Sequence, residues 1–348
     1  YAGQRFKWLP EARAQGISDV IETRAVRAGR MDAAPGLLSA AISAVSLGAG
    51  ASAGREGPAV HLGATLSALF TRVLGLPPRA ARILLACGAA AAVSASFNAP
   101  IAGALFAFEV ILGHYALRSI APVAAASVTG AVIARLHFGA TPAFALPAIE
   151  PASMADYAAM LPLGLAAAAV AIAFISAAYA APRVVARAAE RAHWPLWALP
   201  PAGGLAVGVI GALFPEVLGV GYEATVEALA GGYSPLLLAG LILAKLAATV
   251  ITLGFRFGGG VFSPSLYLGA MLGALFGAGA TALFGEQSAG LALFAVVGMG
   301  AVSGAVLGAP LSTTLIVFEL TQSYQASIAL LVAVSLATVV TNAVTKGS

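Results

Sequence analysis

The chain has 348 residues, 60% of them hydrophobic and only 9% charged, with a mean hydropathy of +0.94. An ordinary soluble domain carries charge on about a quarter of its residues, so that class is excluded. The net charge of +4 and pI near 9.4 then describe the loops of a membrane protein, not a nucleic-acid-binding surface.

Windows 33–54, 83–108, 157–182, 196–215, 257–285, 287–318 and 320–345 contain no Asp, Glu, Lys or Arg. About 20 apolar residues cross a bilayer as a helix. Backbone groups in lipid must pair internally, and the windows lack the alternation of barrel strands. The predicted fold class is an all-α polytopic membrane protein of roughly ten to fifteen segments, some too short to span. Arginine gathers at 5–30, 72–82, 118–135 and 183–191, the expected water-facing junctions. The chain opens at Tyr1 with no evident signal peptide.

The first apolar window leads into residues 54–70, GREGPAVHLGATLSALF. A glycine-containing break, a proline and a nearly uncharged helical stretch follow one another. Proline suits the first turn of a helix, where its missing N–H costs nothing. The amides of that turn lack intrahelical partners and carry the positive end of the helix dipole, so they can hold an anion. Gly63 and Ser67 begin a stripe of small residues suited to close helix packing. Cys87, the only cysteine, excludes an internal disulfide and is expected to pack inertly. Its window runs into NAPIAGALFAFEV at 98–110.

TPAFALPAIEPASMADY (141–157) is the predicted connecting loop. RVVARAAERAHW (183–194) is a second predicted polar break. Lys245 and Arg256 flank a helix ahead of the next motif, and snorkelling to the interface is the expectation for both. Residues 260–276, GVFSPSLYLGAMLGALF, then repeat the first motif at an offset of 206, with Pro58/Pro264, Leu62/Leu268, Gly63/Gly269, Ala64/Ala270 and Phe70/Phe276 in register. Gly269, Gly273 and Gly277 form the matching packing stripe. GAPLSTTLIVFEL (308–320) repeats 98–110 at an offset of 210, with Ala99/Ala309, Pro100/Pro310, Phe108/Phe318 and Glu109/Glu319 in register. The two repeats cover 1–140 and 158–348, within one membrane domain. Two helix starts of one kind suggest a transporter of paired halves around a central ion site.

G-R-E-G-P at 54–58, G-G-V-F-S-P at 259–264 and the paired A-P…E blocks resemble the CLC family of chloride channels and chloride/proton exchangers. The resemblance runs from about Pro10 to Lys346. It implies a CLC-type inverted, antiparallel repeat of tilted and partly re-entrant helices. It also implies a bacterial inner-membrane homodimer in which each subunit has its own anion pathway. Chloride is the implied transported ligand, and no cofactor is implied. No metal is expected either, because His61, His114, His137 and His193 show no ligand spacing. The chain start resembles the end of the family's third helix, and the chain end falls short of the last helix, with its pore-lining tyrosine. Tyr324 is not in that tyrosine's place.

Glu56 matches the family's gating glutamate. A carboxylate in an apolar segment costs roughly 2.5–3.5 kcal/mol, and a helix N-terminus returns about 0.3–1 kcal/mol of that. Held by anion-binding amides, it mimics the anion, and an arriving anion or proton displaces it. Arg55, Glu56 and Gly57 from the first motif, and Gly260, Val261 and Phe262 from the second, are the expected anion-binding amides. The run Gly258-Gly259-Gly260 permits close approach. Gln15-Gly16-Ile17-Ser18 stands at the family's glycine-serine-glycine-isoleucine-proline motif, with the Gln15 amide in place of a serine hydroxyl, so the resemblance implies anion-binding roles for Gln15 and Gly16. Val110 stands where proton-coupled exchangers commonly carry the inner proton relay, and valine carries no proton. Glu109 and Glu319 close matching helices, which implies structural roles.

The expected function is therefore glutamate-gated chloride transport, channel-like at Val110. A proton-coupled chloride or fluoride exchanger is the alternative. A non-anion secondary transporter is a distant one, because a cation site wants clustered acids where these breaks present amides. Ser303-Gly304 fails the spacing of a membrane serine protease, since position 301 is Ala, so no enzyme is expected.

Overall fold

In the computed structural model the described residues are Leu9, 13–139, 153–284 and 290–345. Fourteen α-helices, two 3₁₀ turns and one π-turn run through them. Eight helices are long and apolar enough to cross a membrane, so the chain is a multi-pass membrane protein. The helices gather into two compact units. The first holds the described residues of Tyr1–Ala49, Gly54–Ala143 and Arg256–Gly260; the second holds those of Gly50–Ala53, Phe144–Phe255 and Val261–Ser348.

The first unit contains α1 (Ile17–Ala25), α2 (Ala33–Gly48), α3 (Glu56–Val73), α4 (Pro78–Phe97), α5 (Pro100–Phe106) with its π-turn (Ala107–Leu112), and α6 (Leu117–Phe138). Prolines sit in the first turns of α3, α4 and α5, where they have no hydrogen bond to break. Glycines then let the backbones touch. A Cβ on Gly63 would run into the Gly88 carbonyl, and one on Gly88 into the Gly63 carbonyl, which locks α3 against α4. Hydroxyl groups tie the rest. Ser94 Oγ donates to Ser127 O at 2.6 Å, and Ser127 Oγ donates to Pro100 O at 2.7 Å, joining α4, α6 and α5. Cys87 is buried in α4.

The second unit contains α7 (Met154–Arg191), α8 (Leu199–Leu213), α9 (Tyr222–Leu229), α10 (Pro235–Gly254), α11 (Phe262–Phe284), α12 (Gly290–Leu307), α13 (Pro310–Thr321) and α14 (Tyr324–Thr345). The glycine lock recurs at the matching positions. Gly269 and Gly298 would each drive a Cβ into the other's carbonyl, and Gly273 would meet Phe294 O. α12 is the innermost element, buried along most of its length.

Three boundaries differ from the sequence reading. The polar stretch 183–194 is not a break as far as Arg191, because α7 continues through it. Arg183, Arg187 and Arg191 recur every four residues and are exposed, so that end is a solvated face of one long helix. Most of the loop at 141–157 lies outside the described residues, but Met154–Tyr157 already belong to α7. Ser153 and Asp156 form a capping box there, with Ser153 N donating to Asp156 Oδ2 at 2.8 Å. The paired A-P…E helices also end differently. Both start after a left-handed residue, Asn98 (φ +56) or Gly308 (φ +63), which Asn and Gly tolerate. The first reaches its left-handed cap at Gly113 (113 − 100 = 13) and the second at Gln322 (322 − 310 = 12). The π-turn absorbs the extra residue.

Candidate anion-binding site

Helix α2 supports the candidate residues of the first unit. Ser39, Ser43 and Ser46 are buried on one face of it. Ser39 Oγ accepts from Gln15 N at 3.0 Å. Ser46 Oγ accepts from Gly258 N at 3.1 Å. Gly258 lies so close that a Cβ would stand 2.6 Å from Ser43 Oγ and 2.7 Å from its Cα. Two segments far apart in sequence therefore rest on one serine stripe. Gly36, on the same helix, lies against Thr65 of α3.

The loop carrying Gln15 is braced from its other side. Arg13 grips Asp19 through two bonds of 2.8 and 2.9 Å, and Asp19 Oδ2 accepts from Gly16 N at 2.7 Å. Burial works against the charge on Asp19. The Arg13 guanidinium and the Gly16 amide outweigh it and hold the carboxyl below its ordinary value. The main-chain amides of Gln15 and Gly16 are thus both used within the protein. The Gln15 side-chain amide is a further donor on this loop.

Glu56 is the first residue of α3 and is 1% exposed. Arg55 Nε lies 3.8 Å from Glu56 Oε1. The helical ladder begins with Ala59 N donating to Arg55 O at 3.0 Å, so the amides of Glu56 and Gly57 precede it. Pro58, third in the helix, has no N–H. Gly54 and Gly260 form an antiparallel bridge, and Gly57 packs on Gly260, where a Cβ would lie 3.2 Å from the Gly260 Cα. The structure therefore brings Gly57 and Gly260 together and seats the Gln15 loop and Gly258 on a common helix.

In the second unit, Phe262 opens α11 and is 2% exposed, with Pro264 third in the helix as Pro58 is in α3. Ser265 N donates to Val261 O at 3.0 Å, so Phe262 also precedes its ladder. Glu109 and Val110 are half-buried in the π-turn; Glu319 is half-buried in α13. Among the described residues no group of three or more His, Cys, Asp or Glu is placed to hold a metal ion.

Lys245 corrects the sequence reading. It does not snorkel; it is 0% exposed in the middle of α10. Its Nζ donates to Val217 O at 2.9 Å and Gly219 O at 3.0 Å, and it lies 5.0 Å from the centre of the Tyr267 ring. A lone lysine in an otherwise uncharged stretch was the available signal for a buried role. Ser39, Ser43 and Ser46 were also missed. Their spacing of four and three was visible in the first apolar window.

Residues 2–342 match the family profile described as Voltage gated chloride channel. A ClcB-like protein of Ralstonia nicotianae is 36% identical over 94% of this chain and 76% of its own length. An H(+)/Cl(-) exchange transporter ClcA from Salmonella agona is 34% identical over 92% of this chain and 68% of its own. The crystal structure of a slow cyanobacterial Cl-/H+ antiporter shares the fold, with a TM-score of 0.85 and 23% identity, over 97% of this chain and 79% of that one.

Proposed function

The chain belongs to the voltage-gated chloride channel (CLC) family of anion transporters, and we propose that it moves chloride through a pathway gated by Glu56. The observation that carries this reading is Glu56 itself. A carboxylate 1% exposed stands at the opening of a helix, ahead of its hydrogen-bond ladder. That is an anion's place, taken by a tethered anion. The amides at Arg55–Gly57 in the first unit and at Val261 and Phe262 in the second are each assigned to a permeating ion, with the Gln15 side chain as a further donor in the first; the expected Gly260 amide is not among them, because it donates to Gly54 O.

Val110 favours passive conduction over proton coupling. A second reading is proton-coupled exchange, favoured by the relative named as an H(+)/Cl(-) exchange transporter. The two differ in one observable. In chloride-loaded liposomes under an anion gradient, passive conduction moves chloride with no uphill proton movement. Exchange pumps protons in fixed ratio to chloride. We place the protein in the inner membrane as a homodimer, on the strength of the family. Glu109 and Glu319 are assigned structural roles.

A further inference from the structure

Between the spans of α8 and α10 the chain forms a pocket of about 580 Å³. Pro215 follows α8 by two residues, Tyr233 precedes α10 by two, and both line the pocket. It therefore opens where two spans end, at the water-facing border of the membrane. Its volume falls in the roughly 300–1,000 Å³ range of small-molecule sites. Three carboxylates line it: Glu216 from the 3₁₀ turn Pro215–Val217, and Glu223 and Glu227 on one face of α9. Tyr222 and Tyr233 supply aromatic walls. No Lys, Arg or His is among the lining residues, and the second unit contributes all of them. We propose that this pocket binds a linear organic polycation, a diamine or polyamine whose ammonium groups are spaced along an alkyl chain.

The spread of the acids selects this class. Among the described residues no three of His, Cys, Asp or Glu are placed to hold one metal ion, so the carboxylates do not converge on a single small cation. A chain with separated charges reaches them one by one. Its ammonium groups suit the tyrosine faces, and its methylenes suit the apolar wall. The acids still share one neighbourhood. Burial, and then the carboxylates of Glu216 and Glu227, raise the Tyr233 hydroxyl above its ordinary value. A second feature points inward. Tyr267 of α11 is 0% exposed, and its hydroxyl has no hydrogen-bond partner among the described residues. Its ring edge lies behind Gly221 of the lining, where a Cβ would come 2.7 Å from Cδ2. The hydroxyl is within electrostatic reach of Glu216 and Tyr233, so it is turned to the pocket. An unmet buried hydroxyl oxygen accepts from an ammonium N–H. One opposing charge stands near. Lys245 Nζ lies behind the same wall, bound to Val217 O and Gly219 O. Three carboxylates outnumber it, and a cleft lined by one sign of charge concentrates the opposite ion. The binding rests on no gate assignment.

The test is equilibrium binding of radiolabelled spermidine to the purified full chain in phosphatidylcholine nanodiscs, at low salt, where charge attraction is least screened. The parent should bind spermidine more tightly than putrescine, and putrescine more tightly than butylamine. Each charge lost should cost about twofold to fivefold, the range for exposed ion pairs. Glu223→Gln and Glu227→Gln, both at exposed positions, should each weaken spermidine by a similar factor. Glu190→Gln, at an exposed acid of α7 outside the pocket, should not. Tyr267→Phe should weaken spermidine about threefold, the loss of one hydrogen bond, without lowering the melting temperature. Magnesium or calcium displacing spermidine at equal or lower concentration would overturn the polyamine and leave a divalent-ion site. Butylamine bound as tightly as spermidine, or unchanged binding in the double variant Glu223→Gln/Glu227→Gln, overturns the proposal. Unchanged binding by Tyr267→Phe overturns the part given to that hydroxyl.

Discussion

Gly54 and Gly260 donate to each other. Gly54 N bonds Gly260 O at 2.8 Å, and Gly260 N bonds Gly54 O at 2.8 Å. They hold the same place in two repeated motifs (260 − 54 = 206). One motif's glycine is thus paired with its own counterpart, and the pair anchors the chain two residues before Glu56 and one before Val261. Glycine fits the close approach there, since a Cβ on Gly260 would lie 3.1 Å from Gly57 N, and that backbone would have to give by a few tenths of an ångström.

Gly260→Val should therefore lower stability by about 1–3 kcal/mol, the range for overpacking, and reduce chloride flux per molecule. Thermal unfolding in detergent and liposome flux check both. Gly260→Ala should fall between the parent and valine. A valine variant that unfolds and transports like the parent would show that the contact is slack.

Ser46→Ala removes the acceptor for Gly258 N. An unsatisfied buried amide costs about 1–3 kcal/mol. The glycine run should then shift, and chloride-to-nitrate preference should change with it. Relative fluxes of the two ions are the readout. Lost stability with unaltered preference would make the serine stripe structural only.

Asp19→Asn weakens the brace on the Gln15 loop by about 1 kcal/mol, discounted because the Arg13 partner is 39% exposed. The pH dependence has a definite sign. The folded-state carboxyl titrates below its ordinary value of 3.8. Its stabilisation is therefore complete above that value and disappears as pH falls through the folded value. The stability gap between parent and Asp19→Asn should hold at neutral pH and close below about pH 4. A gap that widens in acid would contradict the ion pair.

Lys245→Met leaves Val217 O and Gly219 O without their buried donor. Two unmet carbonyls cost more than removing the buried ammonium returns, for a net loss of about 2 kcal/mol. Detergent melting temperatures of the parent, Lys245→Met and Lys245→Arg would show it. A more stable methionine variant would mean that the ammonium is a net cost to the fold.

Much of this was legible in the sequence. The offset pairs Pro58/Pro264 and Pro100/Pro310 mark helix starts, because proline is favoured in a first turn, where it breaks no hydrogen bond. Gly63 and Gly269 announce the packing seams for the same kind of reason: only they admit a facing carbonyl. Beside Lys245 and the serine stripe, three features escaped. The π-turn at Ala107–Leu112 needs a count of residues between caps that alignment by identity hides. The length of α7 escaped because arginines at 183, 187 and 191 read as a break when scored by polarity and as one face when scored by period. The brace at Asp19 escaped although it is local: Asp19 stands three residues after Gly16, the spacing of a capping box, and that signal was not read; the Ser39 contact to the Gln15 amide forms only through tertiary structure.

The most direct measurement is chloride flux from proteoliposomes across a range of external pH, for the parent and Glu56→Gln. If Glu56 gates the pathway, parent flux changes with pH as the carboxylate is protonated and displaced, and the Glu56→Gln profile is flat. A Glu56→Gln variant that keeps the parent's flux and pH response would show that the gate lies elsewhere.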